Sequence, residues 1–199
     1  MPRSLSVILL GSYLLVVGCD REGQGGGQPV AQLPQDVQNA EMPQEGMDRS
    51  HTGELMPAVN LSSEQGEVLN LGALQGTPVL LNIWATWCAP CVKEMPQLDT
   101  LAAEYDGRLR VVTASQDAQG AKVVLPFFER AGLSHLEPWL DPENLLMEGL
   151  EVEALPVTIL YDSVGKEVWR MHGAYDWSSE NAFTLIEESV SPPPVPPGA

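Results

Sequence analysis

The 199-residue sequence predicts an α/β domain, and three observations support that fold class. An uninterrupted apolar run at residues 79–83 is typical of a fully buried strand. From residue 90 to 105 the apolar positions change to helical spacing. Another buried-strand pattern follows at 109–114, after a connection long enough for a parallel crossover. A strand, a helix and a parallel strand therefore form the centre of the predicted domain.

The remaining elements are predicted from turn residues and hydrophobic periodicity. Alternating residues at 59–61 and 68–71 flank a turn-rich segment and predict an edge hairpin. Gly132 ends a predicted helix, and a Gly-containing link joins the last two strands. The further elements are a helix at 121–131, a short helix at 144–149, strands at 157–161 and 167–172, and a final helix at 179–189. Together they predict one folded domain over residues 56–190.

Two cysteines, Cys88 and Cys91, lie where the buried strand turns into the first turn of a helix. The first N–H groups of a helix have no internal partner, so a thiolate there is stabilised and its pKa should fall below the usual ~8.5. Pro90 suits a first-turn position because it lacks an N–H. We expect Cys88 to attack disulfides and Cys91 to resolve the mixed disulfide.

Two other uses of a C-x-x-C pair have to be weighed. A zinc site would need two further Cys or His ligands at suitable spacing, but His51, His135 and His172 are scattered singly. A structural disulfide closing so short a loop would remove little entropy from the unfolded chain. Redox chemistry is favoured because the pair follows a strand and opens a helix. We therefore predict a redox-active Cys88–Cys91 disulfide, with no metal and no other cofactor.

The N-terminus resembles a bacterial lipoprotein signal. Arg3 precedes an apolar run at 7–17 that is too short to span a bilayer, and the run ends just before Cys19. We predict that residues 1–18 are a signal peptide and that Cys19 is lipidated, which leaves only the C-x-x-C pair as thiols. The alternative is an ordinary secretory signal with an idle cysteine. Asp20 resembles the signal that retains lipoproteins in the inner membrane, facing the periplasm.

Two further segments have compositions that favour disorder. Residues 19–55 are rich in Gly, Gln, Pro and acidic residues, and we predict a flexible tether there. Residues 191–199 hold five prolines and predict a disordered or polyproline tail. The chain carries a net charge of −17 at pH 7, which makes nucleic acid a poor partner.

Several motifs together resemble the TlpA/ResA type of membrane-anchored, thioredoxin-like thiol–disulfide oxidoreductase. They are the run at 82–91 with its two cysteines, then Glu94 and Pro96, Leu155–Pro156, and the segment 173–177. The resemblance covers about residues 56–190. It implies a thioredoxin-like α/β fold, with a central mixed sheet flanked by helices and an N-terminal β-hairpin extension.

The resemblance also implies roles for individual residues. The Leu155–Pro156 peptide bond should be cis and face the cysteines, the alternative being a trans proline at a strand start. The backbone of Leu155 should pair with an extended substrate, and we place Pro156, Trp87 and Pro90 beside it in the substrate-binding surface. Glu94 should influence the titration of the cysteines and move a proton, unless it is an ordinary acid near a helix N-terminus.

These resemblances lead to an expected function. The protein should be a periplasmic reductant of disulfides, acting on apocytochrome c or on copper-delivery and oxidase proteins in cytochrome biogenesis. A membrane electron donor of the DsbD/CcdA type would restore the dithiol. Two alternatives stay open: a thiol oxidant or isomerase, and a copper chaperone of the Sco type that would use His172 with the two thiolates.

Overall fold

The structure is a computed structural model and describes residues 46–190. It contains eight strands and four α-helices in this range. The strands are β1 (Met47–Asp48), β2 (Asn60–Ser62), β3 (Val68–Asn70), β4 (Val79–Trp84), β5 (Arg110–Ser115), β6 (Pro138–Leu140), β7 (Val157–Tyr161) and β8 (Glu167–His172). The helices are α1 (Ala89–Glu104), α2 (Ala121–Ala131), α3 (Leu145–Gly149) and α4 (Glu180–Val190).

The eight strands form one mixed sheet in the order β1-β8-β7-β4-β5-β6-β2-β3. Strand β4 pairs with β5 in parallel, and β5 pairs with β6 in parallel. Strand β7 runs antiparallel to both β4 and β8. The predicted parallel crossover through α1 and the predicted thioredoxin-like mixed sheet are both confirmed.

The sheet separates two hydrophobic clusters, and alternation along β4 assigns its side chains to them. Leu80 and Trp84 belong to the cluster beneath α1, α2 and α4, whereas Val79, Leu81 and Ile83 belong to the cluster on the other face. All six residues of β4 are buried, as the uninterrupted apolar run predicts. Asn82 is the one polar residue in this strand, and the pleat places it on the α1 face.

Most predicted elements lie within one residue of the observed ones. The helix at 121–131 and the strands at 157–161 and 167–172 coincide with α2, β7 and β8. The hairpin of β2 and β3 is confirmed at one edge of the sheet. Strand β6 was not predicted, because three residues beginning with a proline give too short a pattern to recognise.

The predicted tether overlaps the folded domain and needs correction there. Met47 and Asp48 pair with Met171 and Arg170 of β8, and Leu55 forms a bridge with Lys166. The backbone of this polar stretch forms hydrogen bonds with the otherwise exposed edge of β8. Composition alone does not reveal this pairing. Residues 46–55 therefore belong to the domain, and the tail at 191–199 lies outside the described residues. None of the helices within residues 46–190 has the length and apolar character needed to cross a membrane.

Candidate active site

The cysteine pair lies at the N-terminus of α1, at the carboxyl end of β4. Cys88 is the N-cap residue of the helix, and its Sγ accepts a hydrogen bond from the Cys91 N–H at 3.3 Å. The two sulfurs form a disulfide. Cys88 is 7% exposed and Cys91 is fully buried, so the outer sulfur is the one a partner can reach. Pro90 lies in the first turn of the helix, as predicted.

The turn before Cys88 is held by a buried carboxylate from the neighbouring strand end. Asp117 Oδ2 accepts from the Thr86 N–H at 2.8 Å, and its Oδ1 accepts from Thr86 Oγ1 at 2.7 Å. Ser115 Oγ donates to the same carboxylate at 2.8 Å. Because β4 and β5 are parallel, both strands end at the same edge of the sheet. Asp117 therefore ties the loop that carries Cys88 to the end of β5.

Glu94 lies one helical turn after Cys91 and points into the protein, with only 2% of its surface exposed. Its Oε1 accepts from Asn82 Nδ2 at 2.8 Å. Its Oε2 accepts from the Tyr175 N–H and from Trp177 Nε1, each at 3.3 Å. All three partners are N–H donors, which favour the ionised carboxylate.

Burial has the opposite and larger effect on this acid. It raises the pKa of Glu94 to about 7, and the three hydrogen bonds only partly offset the rise. An acid that titrates near neutral pH can both accept and release a proton under physiological conditions. This burial sets Glu94 apart from an ordinary exposed acid near a helix N-terminus, and its role in moving a proton stays a prediction.

Asn82 links Glu94 to the sheet. Its Nδ2 also donates to Thr158 Oγ1 on β7, at 2.9 Å. Its Oδ1 is buried and has no hydrogen-bond partner among the described residues. The two N–H groups of this amide therefore donate to Glu94 and to Thr158, and they link α1 to β7.

The residues expected to bind substrate come from two segments of the chain. Trp87 precedes Cys88 and is 70% exposed, the behaviour of a contact residue. Pro90 is exposed beside it. The Leu155–Pro156 peptide bond is cis, as the resemblance implies. Pro156 is buried, and the half-buried Leu155 packs on the hydrophobic cluster that contains Cys88 and Cys91.

Each described histidine lies beside a carboxylate, and His51 contacts Glu54 at 3.1 Å. His172 lies at the end of β8 with Nε2 3.7 Å from Asp48 Oδ2, and His135 contacts Asp99 at 3.1 Å. Over residues 46–190 no group of three or more His, Cys, Asp and Glu side chains is arranged to hold a metal ion. Cys19, the predicted lipidation site, lies outside the described residues.

Two functional contacts escaped the sequence analysis. Asp117 could have been found from its position just after β5, where parallel strand ends collect polar side chains. Trp177 lies 83 residues from Glu94 in the chain, and no local pattern reveals so distant a hydrogen bond. The motif at 173–177 is recognisable in the sequence, whereas its contact with Glu94 is visible only in the fold.

Comparison with known proteins matches the chain to redox proteins. The family model described as Redoxin matches residues 51–186. The chain is 34% identical over 145 residues to the thiol–disulfide oxidoreductase ResA of Halalkalibacterium halodurans, covering 70% of this chain and 81% of that one. It is 33% identical over 115 residues to the thioredoxin-like protein YneN of Bacillus subtilis, covering 57% of this chain and 66% of that one.

A solved structure supports the same fold. The structure from Chlorobium tepidum assigned as a thiol:disulfide interchange protein DsbE superimposes with a TM-score of 0.63 at 24% identity. The match covers 70% of this chain and 98% of that one.

Proposed function

Since the chain belongs to the Redoxin family and is a thiol–disulfide oxidoreductase, we propose that it works as a reductant of protein disulfides. The Cys88–Cys91 dithiol passes two electrons to a disulfide of an exported protein. The observation that supports thiol–disulfide exchange at this site most directly is the position of Cys88. Its sulfur caps α1, accepts the Cys91 N–H, and lies beside the exposed Trp87.

The exchange proceeds in two balanced steps. The Cys88 thiolate attacks one sulfur of the substrate disulfide, a mixed disulfide forms, and the other substrate sulfur leaves as a thiolate. Cys91 then loses its proton and attacks Cys88 Sγ, which breaks the mixed disulfide and releases the second substrate thiolate. The enzyme is left oxidised and the substrate is left as a dithiol.

Glu94 is the proposed carrier of the proton in the second step. It lies one turn from Cys91 on the same helix, is buried, and has a pKa raised to about 7 by that burial. An acid with such a pKa can take the Cys91 proton and give it to the departing thiolate. In the surrounding surface, Trp87, Pro90, Leu155 and Pro156 are the proposed substrate contacts, with the Leu155 backbone pairing with an extended segment.

The cellular setting is proposed from the sequence signals and the resemblance. The protein is anchored by lipid on Cys19 to the inner membrane and faces the periplasm. Its substrates are apocytochrome c or copper-delivery and oxidase proteins, and a DsbD/CcdA-type membrane protein supplies the electrons. Several relatives are named thiol–disulfide oxidoreductase ResA, and that name supports the reaction type proposed for this chain.

Equilibration of the purified protein with reduced and oxidised glutathione tests the direction of electron flow. A reductant should have a reduction potential near that of thioredoxin, about −270 mV, whereas an oxidant lies near that of DsbA, about −120 mV. The difference corresponds to several kcal/mol for two electrons. A value near −120 mV would overturn the proposed reductant role.

Trapping in the native host identifies the substrates. Cys91→Ser removes the resolving thiol, so Cys88 should accumulate as a mixed disulfide with its partners. The matched control is Cys88→Ser, which leaves only the buried Cys91 and should trap far less. Recovery of cytochrome or copper-protein partners supports the proposed substrate class, and recovery of unrelated proteins contradicts it.

A further inference from the structure

The segment 173–177, between β8 and α4, contacts both the cis-proline loop and the buried Glu94. At its start the Gly173 N–H donates to the carbonyl oxygen of Pro156 at 2.9 Å. Farther along, the Tyr175 N–H and the Trp177 indole N–H both donate to Glu94 Oε2. The segment therefore touches the cis-proline loop at one end and the buried acid at the other.

The position of the Trp177 side chain is fixed by packing and by hydrogen bonds. The indole is fully buried, stacks on Trp169 with ring centroids 6.4 Å apart, and meets Tyr175 edge-on at 5.1 Å. Its backbone N–H donates to Gln97 Oε1 at 3.0 Å. Gln97 lies one turn after Glu94 on α1, so the same helix face holds both the backbone and the indole of Trp177.

The groups that face Glu94 come from each element packed around it. Strand β4 supplies Asn82, whose second N–H reaches Thr158 of β7. The 173–177 segment supplies the two donors to Oε2. The Asp176 carboxylate in that segment is exposed, and it accepts hydrogen bonds from Gln97 Nε2 and from the Ser178 N–H. Only N–H donors therefore reach the Glu94 carboxylate from these elements.

A donor that packing holds in place stabilises a buried carboxylate more than a solvent-exposed donor does. The indole N–H has a single hydrogen and is donor-only, so it stabilises the ionised carboxylate and opposes its protonation. Because burial favours the neutral acid, the loss of one of three donors should shift the balance toward protonation.

We propose that Trp177 is a positioning residue of the redox site: its indole N–H holds the Glu94 carboxylate in place and in its proton-accepting form. This inference rests on the proposed role of Glu94 as the proton carrier. It assigns to the 173–177 segment a function in the chemistry, beyond linking β8 to α4.

The test compares Trp177→Phe with a matched variant, Trp139→Phe. Trp139 is also buried, and its Nε1 also donates to a glutamate, Glu137, at 2.9 Å, but it belongs to the cluster on the opposite face of the sheet. The pH dependence of disulfide reduction is measured, together with an infrared titration of the carboxyl band that disappears in Glu94→Gln. With Trp177→Phe both midpoints should move to higher pH by roughly 0.5–1 unit. With Trp139→Phe neither should move, and unmoved midpoints in Trp177→Phe overturn the inference.

Two additions keep the outcomes distinct. If Trp177→Phe does not fold, benzothienylalanine at position 177 keeps the size of the ring and lacks only the N–H, and the same shift is expected. If Glu94→Gln leaves the pH dependence of the rate unchanged, the proposed proton role of Glu94 fails, while the infrared midpoint still tests Trp177. If Glu94→Gln removes that dependence but neither Trp177 variant moves a midpoint, only the Trp177 inference fails.

Discussion

Among the glutamates that the structure describes, Glu94 is the one with a strongly raised pKa. Burial raises its pKa from 4.5 to about 7, so between these values the folded protein binds a proton that the unfolded chain does not. Stability must then fall as the pH rises through this window. The ionised acid persists in the interior because Asn82, Tyr175 and Trp177 donate to it.

Replacing this acid should flatten the pH dependence of stability. Relative to Glu94→Gln, the oxidised wild-type protein should lose about 3 kcal/mol of unfolding free energy between pH 4.5 and 8. Urea denaturation at a series of pH values measures the difference. Glu104 lies at an exposed position of the same helix. The unfolding free energy of Glu104→Gln should therefore change with pH in the same way as that of the wild type. If the unfolding free energies of Glu94→Gln and wild type changed equally with pH, the proposed rise in the pKa of Glu94 would be wrong.

Asp117 acts on the cysteine through the loop that precedes it. Asp117→Ala leaves the Thr86 N–H and two hydroxyl groups without their acceptor, which should cost about 2–3 kcal/mol of stability. The reaction of Cys88 with a disulfide should also slow, because the loop that positions its sulfur is released. Denaturation and stopped-flow kinetics measure the two effects, with the exposed Asp106→Ala as the control. A stable variant with unchanged kinetics would show that the loop holds its shape alone.

At the scale of elements, α1 organises more than the disulfide. Near its middle, Asp99 Oδ1 accepts the backbone N–H groups of Ser134, His135 and Leu136, at 2.8–3.1 Å. Burial raises the pKa of Asp99, but hydrogen bonds led by those of His135 outweigh it, and the pKa lies below the usual 3.8. One carboxylate therefore anchors the connection from α2 to β6 on the active-site helix.

Removing this anchor should destabilise the domain without touching the redox centre. Asp99→Ala should lower the unfolding free energy by about 2 kcal/mol, and Glu104→Ala on the same helix should be near neutral. Because the pKa of Asp99 is lowered on folding, its contribution is complete above pH ~4 and is lost at lower pH as the carboxylate takes up its proton. Thermal denaturation at pH 7 and at pH 3 checks both parts. An equal loss at the two pH values would refute the electrostatic explanation.

At the scale of the whole molecule, the charge of −17 should select among disulfides. The reduced protein should react with cystamine, which carries two ammonium groups, about tenfold faster than with dithiodipropionate, which carries two carboxylates. Hydroxyethyl disulfide is the neutral reference. The preference should shrink at 0.5 M salt, where screening reduces the range of the field to a few ångströms. A preference that is independent of salt would point to contact chemistry instead.

The fold was more predictable from the sequence than the site was. Runs such as 79–83 and 157–161 are buried on both faces, so their composition alone identifies them as strands. Strand β1 could not be found this way, because its pairing with β8 depends on a neighbour more than a hundred residues away. In the site, Cys88 and Cys91 are recognisable from spacing. The burial of Glu94 and its bond to Trp177 depend on tertiary packing, which leaves no local signature.

The most direct test of the account is the order in which the two thiols react. The reduced protein is treated with limiting iodoacetamide over a range of pH, and peptide mapping assigns the label to each cysteine. The account predicts that Cys88 is labelled first and stays reactive at pH 6, where an ordinary thiol is almost entirely protonated. Labelling of Cys91 first, or labelling of Cys88 only at alkaline pH, would contradict the claim that the helix N-terminus stabilises the Cys88 thiolate.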